Sequence, residues 1–495
     1  MSTPGKCLRR SGPPGSSTVA KPGLLESTTL PHDPALPQLA QALDGAAMAQ
    51  VFGAALDGMQ VQSCAVDRVK YRPGRNCSVS YVLALRDERR GGAVEQRVAA
   101  RFCSGGDAAR RHRHALGRAP LASAAGPALT HLPALDMLAH WWPNDAKLDA
   151  PAWLHDDARL RSHGLDAVVA ALTGGRGSWV AHRMSLVQYV PEARVCARVE
   201  LQLRPAPGAP VTTRTLYAKA DTARNGAATQ ALMLALHNSP AQAGGQLRTP
   251  QPVLWHAATG LHWQLAVPGQ ALLDVDPCVG LATSARVGAH LAALHATKVP
   301  LARTLAAASW REAPRRVAEL LGRVEPGWAA LVTRLVGRLE AGALERMDAL
   351  AREPVVTLHG DLHPRNILLD GSALAFIDLD GACHGPAVIE LGAWVGDALY
   401  RALLTGEVWQ TASSQAAPAW RAFIAAYEHA SGRAVDGSLL AWSTAHHLLC
   451  QRAYRCVANL KPGRFEAVPQ LLALAESIAG AGSVDAAVAC ERELA

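Results

Sequence analysis

Residues 355–386, VVTLHGDLHPRNILLDGSALAFIDLDGACHGP, constrain the fold more than any other stretch of this 495-residue chain. VVTL has the length and apolar content of a short buried strand. HGDLHPRN reads as a loop, because Gly360 and Pro364 break regular structure. ILL and LAFID alternate as strands around Asp370-Gly371, a strong hairpin-turn signal. A loop therefore hangs from one end of a hairpin, and the hairpin returns Asp378 close to Asn366. Asp361, Asn366 and Asp378 are thereby gathered. Hard divalent ions such as Mg²⁺ take carboxylate and amide oxygens together with phosphate oxygens. Phosphoryl transfer also needs a carboxylate to orient the attacking hydroxyl. Asp361 is the candidate for that base, and Asn366 and Asp378 are the candidate metal ligands.

The front half repeats itself. VKYRPGRNCSVSYVLAL begins at Val69 and VQYVPEARVCARVELQL at Val187, an offset of 118 residues. At the same offset Arg101 in RVAARF meets Lys219 in LYAKAD. Each copy continues into a polar turn, a helix and a strand pair that ends in proline. A five-strand sheet with one helix, present twice, accounts for these landmarks. After Gln270 the spacing becomes helical, strand signals return only at 355–378, and everything beyond 386 is helical in pattern. A sheet-rich front and a helical back imply an α+β architecture of segregated lobes. The expected divisions are a disordered tail over 1–35, a sheet and helix subdomain over 36–180, a second sheet lobe over 181–270, a helical lobe over 271–480 and a tail over 481–495.

Hydrophobic residues make up 49% of the chain and charged residues 18%, enough to bury a large core, so global disorder is excluded. No long uncharged apolar run predicts a membrane span, and the N-terminus has no apolar segment behind its basic residues, so a cytoplasmic location is expected. The net charge of +8 resides in residues 1–120, with 17 Lys and Arg against 9 Asp and Glu. The run RRHRHALGR has no interleaved aromatic residues, so a solvated helix face is favoured over nucleic-acid binding. The ten cysteines show no C-x-x-C pair and are expected as reduced thiols.

HGDLHPRNILL followed by FIDLDGACHGP resembles the catalytic and metal-binding motifs of the aminoglycoside phosphotransferase/choline kinase-like family. AVPGQALL resembles that family's hinge, and AHLAALHAT its first C-lobe helix. The resemblance covers roughly 182–480. It implies a protein-kinase-like bilobal fold with a sheet-rich N-lobe and a helical C-lobe, preceded here by a second N-lobe-like sheet. By position it implies Asp361 as catalytic base, His359 bracing the catalytic loop, and His363 facing the transferred phosphate. It implies Lys219 on the nucleotide phosphates, hinge residues Val267 and Gly269 on the nucleotide, and Asn366 and Asp378 on Mg²⁺. Arg101 is the competing candidate for Lys219.

The sequence departs from the family in three ways. The helix after Lys219 has no Glu to pair with it, and Gln230 is the only polar candidate of suitable length. There is no G-x-G-x-x-G, so the turn PEAR at 191–194 is expected to cover the nucleotide. Glu390 stands where the family usually has the Asp that anchors the catalytic loop. Asp380 is a candidate second-shell or metal-bridging acid, and Arg365 a loop Arg.

The resemblance implies an ATP-dependent kinase, with Mg²⁺, acting on a hydroxyl of a small molecule such as a sugar or amino alcohol. An aminoglycoside acceptor is disfavoured, because residues 401–495 hold eight acidic and eight basic residues and offer no anionic field. Trp394, Trp409, Trp420 and Trp442 are candidates to stack on a sugar, with core packing the competing role. A catalytically silent nucleotide-binding module is the alternative that the missing helix Glu favours.

Overall fold

The computed structural model describes residues 30–489, apart from 90, 224, 301–302, 306, 342 and 406–408. Strands β1 (Met59–Arg72), β2 (Asn76–Asp87), β3 (Ala93–Cys103), β4 (Leu129–Leu132) and β5 (Met137–Trp141) form an antiparallel sheet in the order β1-β2-β3-β5-β4. Strands β6 (Ser178–Val190), β7 (Arg194–Arg204), β8 (Thr212–Asp221), β9 (Pro252–His256) and β10 (Leu261–Leu265) form another in the order β6-β7-β8-β10-β9. The two orders are the same, and each third strand leads into a helix, Asp107–Leu116 or Gly226–His237. Side chains on a strand alternate between faces. Cys77, Val79, Tyr81, Leu83 and Leu85 are accordingly buried along β2, and Val195, Ala197, Val199, Leu201 and Leu203 along β7. Arg101 and Lys219 occupy matching places: Arg101 lies between Ser78 and Leu138, and Lys219 between Cys196 and His262.

Beyond the second sheet the chain forms β11 (Gln270–Ala271), β12 (Val355–Leu358), β13 (Ile367–Asp370), β14 (Ala373–Phe376) and β15 (Cys383–Pro386). β13 and β14 are the expected hairpin, with Gly371 in its turn at φ +56°. β11 pairs with β13, so the hinge is hydrogen-bonded directly to the hairpin. β12 pairs with β15, a strand the apolar pattern did not predict. The rest is helical, built on Leu281–Ala296, Ala387–Leu403, Trp409–Ser431, Gly437–His447 and Val468–Ala481. Trp394, Trp420 and Trp442 are core residues here. Trp394 stacks on Phe423 with ring centres 5.2 Å apart, and Trp442 donates its indole N–H to Leu339 O at 2.9 Å.

The hydrophobic core explains two differences from the expected divisions. Leu154, Leu160, Leu165, Val168 and Val169 pack in one cluster with Val199, Leu216 and Trp263. Residues 150–173 therefore belong with the second sheet, and the boundary expected at 180 moves to about 150. The first sheet shares a single contiguous core with the helical lobe instead, and its β1 lies against helix Tyr454–Asn459. Described residues within the segments expected as tails, 1–35 and 481–495, are packed on the fold. Asp33 accepts from the Tyr71 hydroxyl and Gly74 N–H at 2.8 Å each, and Val484, Ala487 and Val488 of helix Val484–Ala489 are buried. Residues 1–29 and 490–495 lie outside the described ones.

The basic run forms helix Asp107–Leu116, where Asp107 pairs with both Arg110 and Arg111. The eight described cysteines are all free, six of them buried. Among the described residues no helix is long and apolar enough to cross a membrane.

The two sheets are joined through the turn between β6 and β7. Buried Asp145, from the first sheet's C-terminal loop, accepts the Tyr189 hydroxyl at 2.6 Å and Glu192 N–H at 2.9 Å on one oxygen. Its other oxygen accepts Lys147 and Leu148 N–H. Asp145→Ala would strand a fully buried tyrosine hydroxyl and a backbone donor. It is expected to lower stability by about 3 kcal/mol in urea unfolding, with Asp145→Asn, which keeps an acceptor, losing less.

Candidate active site

Lys219 reaches across the cleft to the hairpin. Its Nζ lies 2.5 Å from Asp378 Oδ1 and 3.1 Å from Asp380 Oδ2. Burial works to lower the lysine pKa, but the Asp380 and Asp378 carboxylates outweigh it and raise the value above the ordinary range. Burial likewise works to raise the pKa of Asp378, and the Lys219 ammonium overrides it and lowers the value. Asp378 sits in the left-handed region, φ +63° and ψ +49°, a conformation that L side chains rarely adopt. Arg194, from the start of β7, comes within 3.7 Å of the same carboxylate.

The hairpin places Asn366 beside this group. Ile377 N–H donates to Asn366 O, and the Asn366 amide donates to Asp361 O at 2.9 Å. The amide oxygen is thereby turned away from that carbonyl. Asp361, Asn366 and Asp378 thus flank one loop and hairpin.

A buried acid holds the loop. Glu390 accepts His359 N–H at 2.9 Å on one oxygen and Gly360 N–H at 2.8 Å on the other. His295 lies 3.0 Å from Glu390 and is held on its far side by the Tyr427 hydroxyl at 2.9 Å. Burial works to raise the Glu390 pKa, and the bond from His295 with the nearby imidazoles lowers it below the usual value. The longer Glu therefore performs the loop anchoring expected of an Asp. His359 is fully buried and donates Nε2–H to Ile377 O at 3.0 Å, bracing the loop against the segment that carries Asp378. Gly360, at φ +81°, passes so close to Gly381 that a Cβ would fall 2.0 Å from its carbonyl oxygen.

His363 Nδ1 accepts Arg365 N–H at 3.2 Å, which puts the ring proton on Nε2, 3.7 Å from Asp361 Oδ2. Burial lowers its pKa, so the ring is neutral near pH 7. Gln230 does not meet Lys219. Its oxygen accepts from His262 Nε2 at 2.9 Å, and the lysine is positioned by Asp378 and Asp380 alone among the described carboxylates. Val267 and Gly269 lie in the segment between β10 and β11. Gly269 crosses β13 closely at φ +134°, where a Cβ would lie 2.8 Å from Leu369 O.

Arg101, the rival of Lys219, is turned to a different purpose. It forms an ion pair with Glu192 in the PEAR turn, and Lys147 lies 3.3 Å from the same carboxylate. The first sheet thus clamps the turn that leads to Arg194. Sequence reasoning named the PEAR turn but gave its Glu192 and Arg194 no partners, and it missed Arg455. Each of these contacts is a pairing between distant segments.

Two cavities meet at the catalytic loop. One of about 260 Å³ is lined by Lys219, Arg194, His262, Asp378 and Asp380. The other, about 600 Å³, opens into the helical lobe between Trp310, Leu320, Ser443 and His446. Asp361 lines both.

A model of the phosphotransferase enzyme family (APH) matches residues 157–436, more than half of the chain. The chain belongs to the phosphotransferase enzyme family. Its fold is the protein-kinase-like bilobal one, with an additional sheet of N-lobe strand order at the front.

Similar solved structures include a choline/ethanolamine kinase family protein from Mesorhizobium loti, at 14% identity and a TM-score of 0.43, covering 67% of this chain and 99% of that one. A thermostable mutant of the aminoglycoside phosphotransferase APH(4)-Ia shares 15% identity at a TM-score of 0.41, covering 64% and 99%. A Plasmodium vivax ethanolamine kinase shares 10% at 0.39, covering 59% and 82%. A search of curated proteins by sequence returns no match.

Two outcomes are expected from the loop's construction. Gly360→Ala, forced into both a positive φ and a backbone clash, should cost about 2 kcal/mol of stability by thermal unfolding and displace the catalytic loop. Glu390 has a folded pKa below its ordinary 4.5, so its stabilisation is complete above that pH and is lost as pH falls through the lower folded value. The stability gap between the native chain and Glu390→Gln should therefore be constant near neutrality and shrink below about pH 4.5 in urea unfolding.

Proposed function

We propose that this phosphotransferase moves the γ-phosphoryl group of ATP, with Mg²⁺, to a hydroxyl of a small molecule. The observation that carries this reading is the position of Asp361, on the wall shared by a cavity of the Lys219 side and a larger cavity in the helical lobe. A phosphoryl donor on one side and an acceptor on the other would meet at that carboxylate.

Asp361 accepts the acceptor's hydroxyl proton as the new O–P bond forms and the β–γ bridging P–O bond breaks, with ADP leaving. His363, neutral and with Nε2 3.7 Å from Asp361 Oδ2, would be near enough to donate to the transferring phosphoryl group. Lys219 and Arg194 supply positive charge to the nucleotide phosphates. Val267 and Gly269 offer hinge backbone to the base. Asp378 and Asn366 would hold Mg²⁺, with Asp380 beside them. A pair of carboxylates and an amide suits a hard cation completed by phosphate oxygens. Bound there, the ion neutralises charge on the transferring phosphoryl group. Glu390 and His359 keep the loop rigid beneath the reaction.

The absence of a helix carboxylate on Lys219 favours a silent nucleotide-binding module as a second reading, and turnover separates the two. Purified chain with ATP and Mg²⁺ should yield phosphorylated product, read by mass, from some member of a panel of sugars, sugar phosphates, hydroxy acids and amino alcohols. Asp361→Asn should lower kcat by roughly 10²–10⁴-fold with the circular dichroism spectrum unchanged. Lys219→Ala should raise KM for ATP. Nucleotide binding without turnover, and no effect of Asp361→Asn, would leave the silent module.

A further inference from the structure

The larger cavity has an unusual charge for a site that must receive a hydroxyl compound. Arg303, Arg316, Arg452 and Arg455 line it, against two carboxylates, Asp361 and Glu390. Glu390 cannot serve an acceptor, since its oxygens take two loop N–H groups and His295. Asp361 is the base in the reading above. Arg452 is paired with Asp397 at 2.7 Å, but Asp397 also holds Arg401 at 3.0 Å, so one carboxylate serves two guanidiniums. Arg455 is 43% exposed and extends to within 3.6 Å of Asp361 Oδ1, beside the point where the acceptor hydroxyl must sit.

The histidines on this wall add no negative charge. His446 is held on Trp310 O at 2.9 Å, and burial lowers its pKa to about 4. His447 is kept neutral by burial and by Arg452 and Arg455. Past helix Tyr454–Asn459, burial and the nearby Arg365, Arg68 and Arg464 lower the pKa of Lys461, with Asp67 opposing them.

A polycation would be repelled from such a wall, and a neutral sugar would gain only neutral-acceptor hydrogen bonds from its guanidiniums, without the charge-assisted pairing. Carboxylate and phosphate oxygens match the planar donor fork of arginine, two N–H groups at a time. We infer that the acceptor carries an anionic group, a carboxylate or a phosphate monoester, besides the hydroxyl that is phosphorylated, and that Arg455 and Arg303 bind it. The inference rests on the kinase reading of the preceding section.

The test uses the full chain and four acceptors of one skeleton: a neutral hexose, its phosphate ester, its sugar acid and its amino sugar. Calorimetry measures binding of Mg²⁺-ATP alone, then of each acceptor in the presence of a non-hydrolysable ATP analogue, and mass spectrometry reads product. The expected result is at least tenfold tighter binding of the ester or the acid than of the neutral and amino sugars, the better of the two naming the anion. Arg455→Gln and Arg303→Gln should each weaken that binding about tenfold and leave Mg²⁺-ATP affinity unchanged. Equal or better binding of the neutral or amino sugar, or insensitivity of anion binding to both substitutions, overturns the anionic acceptor and leaves the kinase reading intact. Absence of Mg²⁺-ATP binding, or binding unchanged in Lys219→Ala, overturns the kinase reading and the inference with it.

Discussion

An ammonium enclosed by two carboxylates joins the sheet lobe to the catalytic hairpin. Lys219 is on the middle strand of the second sheet, and Asp378 and Asp380 follow the hairpin 159 and 161 residues later. Burying any one of these charges alone would cost several kcal/mol, so each is tolerable only because the others are there. Their mutual attraction ties the two lobes together across the cleft, beside the backbone pairing of β11 with β13. In the proposed reading the same three groups would serve phosphoryl transfer, the cation taking phosphate oxygens and the acids a divalent metal. In the proposed reaction a phosphate would take the place of the carboxylates on Lys219, and a metal the place of the ammonium on Asp378. Charge at the cleft would then remain balanced, which gives nucleotide and metal a reason to bind together.

The first sheet shows what becomes of the same position without a catalytic hairpin opposite it. Arg101 occupies the place of Lys219 in a sheet of identical strand order, but its partner is Glu192, from the β6–β7 turn of the other sheet. The charge is consumed at an interface between sheets. Asp145 reinforces that interface by accepting both Glu192 N–H and the Tyr189 hydroxyl. The result is mechanical support for the turn that carries Arg194 toward Asp378. A flexible, glycine-rich loop would be ordered by the nucleotide it covers. This turn lacks such glycines and is held by the neighbouring sheet instead.

How much of this was legible in the sequence follows from the range of the interactions. The hairpin and the loop that carry Asp361, Asn366 and Asp378 are set within 32 residues by glycine, proline and strand alternation, and the fold and its family followed from them. The 118-residue echo was readable because strand periodicity survives when identity does not. The boundary near residue 150 was not, because apolar residues of a short helix do not announce which of two sheets they will cover. Leu160 and Val168 choose the second sheet through contacts with Leu216 and Trp263. Strand β15 was hidden because its four residues, Cys383–Pro386, include Gly and Pro and lack alternation. Gln230 was the reasonable partner for Lys219 by spacing alone, yet His262 on the adjacent strand claims its oxygen.

Charge near the acceptor cavity shows most clearly where composition misleads. Residues 401–495 balance eight acids against eight bases, so by count the region is neutral. Topology sorts those charges. Glu476 is drawn away to Arg334 and Arg338, and Asp485 to Arg421, on outer faces of the helical lobe. Arg455 and Arg452, the latter sharing Asp397 with Arg401, face the cavity, which Arg303 and Arg316 also line. A field is set by which charges face a cleft and which are paired elsewhere, and low-dielectric walls concentrate it. A balanced tally is therefore compatible with a cavity wall that selects anions, and Trp420 and Trp442 of the same region are buried in the core while Tyr454 lines the cavity.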